Sequence, residues 1–417
     1  MRILAISFFL PPDLFPQAIQ IGRLLEHLPA ETGVVCSAPQ TKFSEARLDT
    51  SFDRRFAFRE AIAFHPRLSG VAAVLARRFV PFLNRVPDEY GRWIPLAEKA
   101  ALTKLSTYGF QPDVMVTFGE PMSDHLVGMR LKNRLGLPWI AHFSDPWSDN
   151  PFRRNEYLAG LVNARLEARV IAATDRLIFT SEETLDLVMR KYPPGWRAKA
   201  TVLPHSFDPA LYPQPGRPTG PLTVRHLGNF YGHRSPVPLF RALRLLLNQE
   251  PATLDGVQFE LVGSLPDRMR RHRSFRNLPA GLVRLHESVS YSQSLALMAT
   301  SDLLLVIDGP DELSVFLPSK LIDYLGARVP ILGIVPPGTS AKLLARLGAP
   351  SADPRKPSEV ARALRMVLAQ AAIRREAKVW QPWGDPGIIN QFDIANVAPA
   401  FFRIVQDAPD VSKAVPR

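Results

Sequence analysis

Short apolar runs alternate along the whole chain with amphipathic stretches, a pattern that predicts βα units wound around parallel sheets. In the first half, runs at 2–8, 33–36, 114–118, 139–142, 176–180 and 201–203 predict strands. Stretches at 18–28, 124–135, 157–173 and 182–191 predict helices, and Ser181 ahead of Glu182 and Glu183 reads as an N-cap. A cluster of prolines and glycines at 212–221 (YPQPGRPTGP) then interrupts the rhythm and reads as a linker. Beyond it the rhythm restarts, with strands predicted at 223–227, 259–262, 283–285, 303–307 and 331–334, and helices at 236–248, 292–299, 319–325, 340–347 and 358–369. A last helix is predicted at 388–405, past a Pro/Gly-rich crossing at 381–387.

The chain is therefore expected to be α/β, with two doubly wound, Rossmann-like domains facing each other across a cleft at the carboxyl ends of their sheets. The expected boundaries are 1–212 for the first domain, 213–221 for the linker and 222–385 for the second domain. Residues 386–417 are expected to form a terminal helix that packs back on the first domain. A length of 417 residues agrees with two domains.

Composition narrows the class. Hydrophobic residues at 46% and charged residues at 22% are globular proportions. The single cysteine, Cys36, excludes an intramolecular disulfide framework and suits a reducing compartment. No run approaches the roughly 18 to 20 apolar residues of a spanning helix, and the short N-terminal run 3–10 ends at Pro11 and Pro12, as a buried first strand would. The expectation is a cytoplasmic protein, soluble or peripheral on the inner face of a membrane. Fifty-one basic against 39 acidic residues leave a formal charge of +12, which favours phosphates or an acidic leaflet. Nucleic acid is not expected, because no binding motif or aromatic-studded basic stripe accompanies the charge.

Several segments resemble family 4 glycosyltransferases of the GT-B fold. Residues 226–236 (HLGNFYGHRSP), followed by an amphipathic helix, look like the opening of that family's donor domain. Residues 316–332 (FLPSKLIDYLGARVPIL) are similar to its nucleotide-binding helix, and 137–147 (LPWIAHFSDPW) and 9–12 (FLPP) resemble segments of its acceptor domain. The resemblance implies a transferase that takes a sugar from a nucleotide-sugar, UDP- or GDP-linked, without a further cofactor. The implied acceptor is a polyprenyl-diphosphate-linked lipid or a saccharide, in surface polysaccharide or glycan synthesis.

The resemblance implies a role for each of several residues. Gly228, after an apolar strand, lets backbone approach a ligand closely. Arg234 lies where a guanidinium would stabilise the charge growing on the leaving β-phosphate. Ser319 and Lys320 open an apolar helix behind Pro318, so free amides, the positive dipole end and an ammonium would cradle phosphate oxygens. Asp323, one turn on, aligns with a glutamate that the family uses on the donor ribose. His142 and Asp145 follow a strand, and the resemblance gives the histidine a hydrogen bond to the donor sugar. Where many members carry a second glutamate, this chain has Val315; Asp311 or Glu312 could substitute from the preceding loop.

The resemblance implies a retaining transfer. With no well-placed carboxylate pair for double displacement and no Asp-x-Asp motif, the leaving phosphate is expected to take the acceptor proton and no metal is expected. Alternatives are a nucleotide-sugar epimerase of the same fold and a non-catalytic sugar-nucleotide-binding protein. Two basic segments remain. Residues 68–83 have apolar positions near helical spacing beside Arg77 and Arg78, as a membrane-surface helix or a core helix would. The arginines between Arg268 and Arg276 read as a solvated loop.

Overall fold

The computed structural model describes residues 1–13, 15–39, 56–64, 85–153, 157–213, 218–377 and 381–414. The chain forms two compact units, Met1–His205 with Ile394–Arg417, and Ser206–Asp393. The basic segment 68–83 lies outside the described residues. Among the described residues, no helix is long and apolar enough to cross a membrane.

The first unit is built on a parallel sheet of β1 (Arg2–Ile6), β2 (Glu31–Ser37), β3 (Phe56–Ile62), β4 (Val114–Gly119), β5 (Trp139–Phe143), β6 (Arg176–Phe179) and β7 (Ala200–Val202). Their order is β3-β2-β1-β4-β5-β6-β7, so the winding reverses between β1 and β4. Helices α1 (Pro16–Glu26), α2 (Trp93–Tyr108), α3 (Ser123–Leu135), α4 (Tyr157–Ala173) and α5 (Glu182–Met189) make the crossovers. The central strands β1, β4 and β5 are nearly continuous apolar runs because both faces are covered. On one face Leu4, Met115, Ala141 and Leu177 pack with Trp93, Val127 and Leu131. On the other, Ile3, Val116, Phe118 and Ile178 pack with Ile21 and Leu24 of α1 and with Val397, Phe401 and Val405 of the C-terminal helix Ile394–Ala414. Ser181 caps α5, its hydroxyl accepting from the Thr184 amide at 3.1 Å.

The second unit repeats the plan with β8 (Leu222–Leu227), β9 (Val257–Val262), β10 (Val283–His286), β11 (Leu303–Ile307), β12 (Ile331–Ile334) and β13 (Ser351–Ala352), all parallel, in the order β10-β9-β8-β11-β12-β13. Its helices are α6 (Val237–Gln249), α7 (Tyr291–Ala299), α8 (Ser319–Ala327), α9 (Thr339–Arg346) and α10 (Pro357–Glu376). The reversal here falls between β8 and β11, and the crevice beside such a point is where doubly wound sheets take ligands.

Among the described residues β3, β13 and α2 escape the sequence pattern, as do the single-turn helices Pro194–Arg197, Asp267–Arg270 and Arg273–Arg276, the last two standing where a solvated loop was expected. In β3 the adjacent Arg59 and Glu60 break the apolar alternation, and the strand is largely half-buried. The predicted helix at 388–405 also divides. Asp385 caps a single turn, Pro386–Ile389. The long helix starts only at Ile394, after the Phe207 amide has bonded to the Phe392 carbonyl at 2.9 Å.

Candidate functional site

In the second unit the predicted residues gather at the carboxyl ends of β8 and β11. Gly228 ends β8 with φ 133°, a conformation that costs a side chain dearly. A Cβ added there would lie 2.8 Å from Lys320 Nζ and 3.1 Å from its Cε. The lysine thus occupies the space that a side chain at 228 would need. Gly263, after β9, is held as closely: its Cβ would fall 2.6 Å from the Gly228 carbonyl oxygen.

Lys320 sits in the first turn of α8, whose N-cap is Pro318 and carries no side-chain cap. The amides of that turn, Ser319 included, are therefore not satisfied by a capping side chain. Lys320 Nζ lies 3.3 Å from His226 Nε2. The other ring nitrogen of His226 meets the Leu305 carbonyl at 2.9 Å, which assigns the ring proton to Nδ1 and leaves Nε2 an acceptor toward the lysine. His226 is fully buried and stacks on Phe230. Desolvation, with repulsion from Lys320, holds its pKa well below the ordinary value. Lys320 itself is pushed down to about 7, first by burial and then by the Arg234 charge, with Asp308 opposing.

Arg234 donates from Nε to Asp308 Oδ1 at 2.7 Å and from a terminal nitrogen to the Tyr231 hydroxyl. Its guanidinium carbon lies 5.1 Å from the Tyr231 ring centroid and 5.9 Å from that of Phe316. Asp308 follows β11 and also accepts from the Gly309 amide at 2.9 Å and the Ser314 hydroxyl at 2.8 Å. Burial alone would raise its carboxyl; the arginine's charge and these hydrogen bonds outweigh burial and hold it below the usual range. Asp308 has no counterpart in the sequence reading, because a lone acid after a strand has the look of an ordinary turn cap.

Asp323 is 7% exposed and accepts from the Tyr291 hydroxyl at 2.9 Å, while its backbone carbonyl takes the Tyr212 hydroxyl at 2.8 Å. Val315 is buried, and its carbonyl accepts from Thr339 Oγ1 at 2.9 Å. Of the two acids beside it, Asp311 pairs with His233 Nε2 at 2.8 Å and Glu312 is exposed. The arginines at 268, 270, 271, 273 and 276 are exposed; Arg268 reaches the Gly232 carbonyl at 2.6 Å.

In the first unit, His142 ends β5 beside Phe118 of β4. It is 5% exposed, its Nδ1 has no hydrogen-bond partner among the described residues, and burial lowers its pKa to about 4, so the ring is neutral at pH 7. Asp145 lies in the loop three residues on, partly exposed. Two further groups went unpredicted. The Thr117 hydroxyl accepts from Trp139 Nε1 at 2.9 Å and meets His125 Nδ1 at 2.8 Å. That chain puts the His125 proton on Nε2, which faces Gly119. Glu120, the next residue, has φ 69°.

Comparison with known proteins agrees with the fold. The family model of a glycosyl transferase 4-like domain matches residues 59–205. No curated protein matches the chain. Among solved structures, Anabaena HepE in complex with UDP and glucose is similar at 14% identity, TM-score 0.64, over 98% of this chain and 100% of that one. Sucrose-phosphate synthase from Thermosynechococcus elongatus is similar at 14% identity, TM-score 0.67, over 98% of each chain. The lipopolysaccharide outer core galactosyltransferase WaaB is similar at 12% identity, TM-score 0.59, over 98% of this chain and 99% of that one. The family model thus covers part of the first unit, and over nearly the whole chain these solved structures share its GT-B fold of two parallel-sheet units.

Proposed function

We infer that the protein is a retaining glycosyltransferase that works without a metal ion. It moves a sugar from a UDP- or GDP-linked donor to a lipid-linked or saccharide acceptor in surface polysaccharide synthesis, at the cytoplasmic face of a membrane. The observation that carries this reading is the grouping of Arg234, Lys320 and the start of α8 at the carboxyl ends of β8 and β11. Two cations and a helix N-terminus suit the two phosphates of a nucleoside diphosphate. The UDP and UDP-glucose held by HepE favour the uridine nucleotide, and the galactosyltransferase WaaB favours a surface glycan.

In this reading the second unit binds the donor. Asp323, already an acceptor for Tyr291, takes the ribose hydroxyls; Arg234 and Lys320 stabilise the charge left on the β-phosphate as the glycosidic bond breaks. The acceptor hydroxyl bonds to the anomeric carbon on the face the phosphate leaves, and its proton passes to the phosphate oxygen. The first unit supplies the acceptor site, with Asp145 and the neutral ring of His142 offering hydrogen bonds to substrate hydroxyls. Calorimetric titration with UDP and GDP tests the donor site. Incubation with UDP- and GDP-sugars and a polyprenyl-diphosphate-linked saccharide, in excess EDTA, tests the transfer. A glycosylated acceptor is the expected product; an epimerised donor with untouched acceptor would make the protein an epimerase, and loss of transfer restored by magnesium would overturn the metal-free reading.

A further inference from the structure

Glu120 directly follows β4, and the last pair in register, Gly119 with Phe143, places it beside Ser144 at the end of β5. Two non-glycine residues among those described have positive φ, Arg328 and Glu120. Arg328 has a structural reason: it caps α8 in the left-handed conformation and its guanidinium donates to the Trp383 and Gly384 carbonyls at 2.9 and 3.1 Å. Glu120 stands before Pro121, to which it is joined by a cis peptide bond. Among the described residues its carboxylate makes no hydrogen bond within 3.5 Å and no ion pair within 4.0 Å, and it stands one residue past β4 at the carboxyl edge of the sheet. A side chain held this way at a ligand-binding edge points to function.

The segment after β5 and the helix after β4 carry further unpaired polar groups. Ser144 Oγ and Trp147 Nε1 are buried, at 8% and 0% exposure, and have no hydrogen-bond partner among the described residues. His125 Nε2, against Gly119, also has none. Buried polar groups left unpaired are costly, and a ligand with several hydroxyls would pair them. Among the described residues, the charged and titratable groups that act on Glu120 are Asp145, Asp88 and Tyr90, with Arg153 as the cation. Burial and then the Asp145 charge push the Glu120 carboxyl up to about 7. Among these described groups acids outnumber the cation, which disfavours a phosphate or carboxylate and favours the hydrogen atom of a hydroxyl.

We propose that Glu120 accepts a hydrogen bond from a hydroxyl of the acceptor, and that the acceptor's reacting end is a neutral saccharide, not a phosphate or a uronic acid. This rests on the reading of the first unit as the acceptor domain. The test is saturation-transfer NMR on the full chain at pH 7.5, with the methyl glycosides of glucose, galactose and mannose against methyl glucuronide and methyl galacturonide. At least one neutral glycoside should bind the wild type about tenfold tighter than the uronides. Glu120→Gln should weaken that binding about fivefold or more, as expected for one lost charge-assisted hydrogen bond. Glu120→Gly, which suits φ 69°, repeats the test in a backbone without strain. Titration of UDP and GDP into the same preparations separates the two claims: nucleotide binding stands or falls with the donor site, whatever the glycosides do. Binding of no glycoside, equal binding of uronides, or unchanged binding by both variants overturns the proposal.

Discussion

Lys320 carries its amine 3.3 Å from the acceptor nitrogen of His226, and an added Cβ on Gly228 would reach it at 2.8 Å. An amine enclosed by a neutral ring and a glycine, with Arg234 repelling it, is poised to change charge when an anion arrives. Its pKa of about 7 leaves it largely neutral at pH 8. A bound diphosphate favours the ammonium and raises that value.

Nucleotide binding at pH 8 should therefore take up a proton. Calorimetry in buffers of different ionisation enthalpy should show uptake approaching one proton, and affinity should fall as pH rises above 7. Lys320→Met should abolish the uptake, and Lys320→Ala should slow transfer roughly 100-fold if the amine supplies about 3 kcal/mol to the leaving charge. Proton-neutral binding that is unchanged between pH 6 and 8.5 would remove the lysine from the phosphate site.

The Arg234–Asp308 pair should behave as a stability element as well as a site. Side-chain exposures of 11% and 5% make it a nearly buried pair, and removing one partner leaves the other charge uncompensated, at a cost of roughly 3 to 5 kcal/mol. Asp308→Ala should lower the urea midpoint of the second unit's transition. Because the Asp308 carboxyl is held below its usual range, its contribution is present above the unfolded pKa and is lost as pH falls through the folded one. The wild-type advantage over Asp308→Asn should accordingly shrink in acid; a constant difference down to pH 3 would contradict the pairing.

Asp323 and His142 should separate binding from turnover. Asp323→Ala loses the carboxylate proposed for the ribose and should weaken UDP or GDP by about 1 to 3 kcal/mol. His142→Ala should leave nucleotide affinity within twofold yet depress transfer. Equal losses of affinity in both, measured by titration, would mean that the ribose contact is misassigned.

Glu120 should destabilise the resting protein. An acid whose folded pKa is raised, here from 4.5 to about 7, is protonated in the folded state at pH values where the unfolded chain has already ionised. Stability thus falls as pH climbs through that window and stays low above it. Glu120→Gln removes the slope, so at pH 8 it should be more stable than wild type by about 1 to 2 kcal/mol, after discounting for its partial exposure. The gain should vanish near pH 4, and a destabilised glutamine variant at pH 8 would assign the side chain a packing role instead.

The fold was largely legible, because buried parallel strands such as Leu303–Ile307 and Val114–Gly119 are continuous apolar runs that nothing in a loop imitates. The helix start at Ser319 was legible too, since Pro318 and Ser319 stand before an apolar face. What stayed hidden was what depends on spatial neighbours. Gly228 announces a close approach but not that Lys320 makes it. Asp308 gains meaning only from Arg234, 74 residues earlier in sequence. Nothing in the string Gly119-Glu120-Pro121 tells a reader that the glutamate carries φ 69°, since that angle is imposed by the surrounding chain.

The C-terminal helix bears on how the protein is made. Phe401 and Val405 complete the same cluster as Ile3 and Val116, although the whole second unit separates them in sequence. During synthesis the second unit, continuous from Ser206 to Asp393, has all its residues before the first unit has its own. Until Ile394–Ala414 leaves the ribosome, the face of the β1–β4–β5 sheet that α1 only partly covers lacks the rest of its cover and is open to chaperones. A stop codon near Ala395 should consequently yield a product that aggregates through its oldest segment, while the younger unit remains folded.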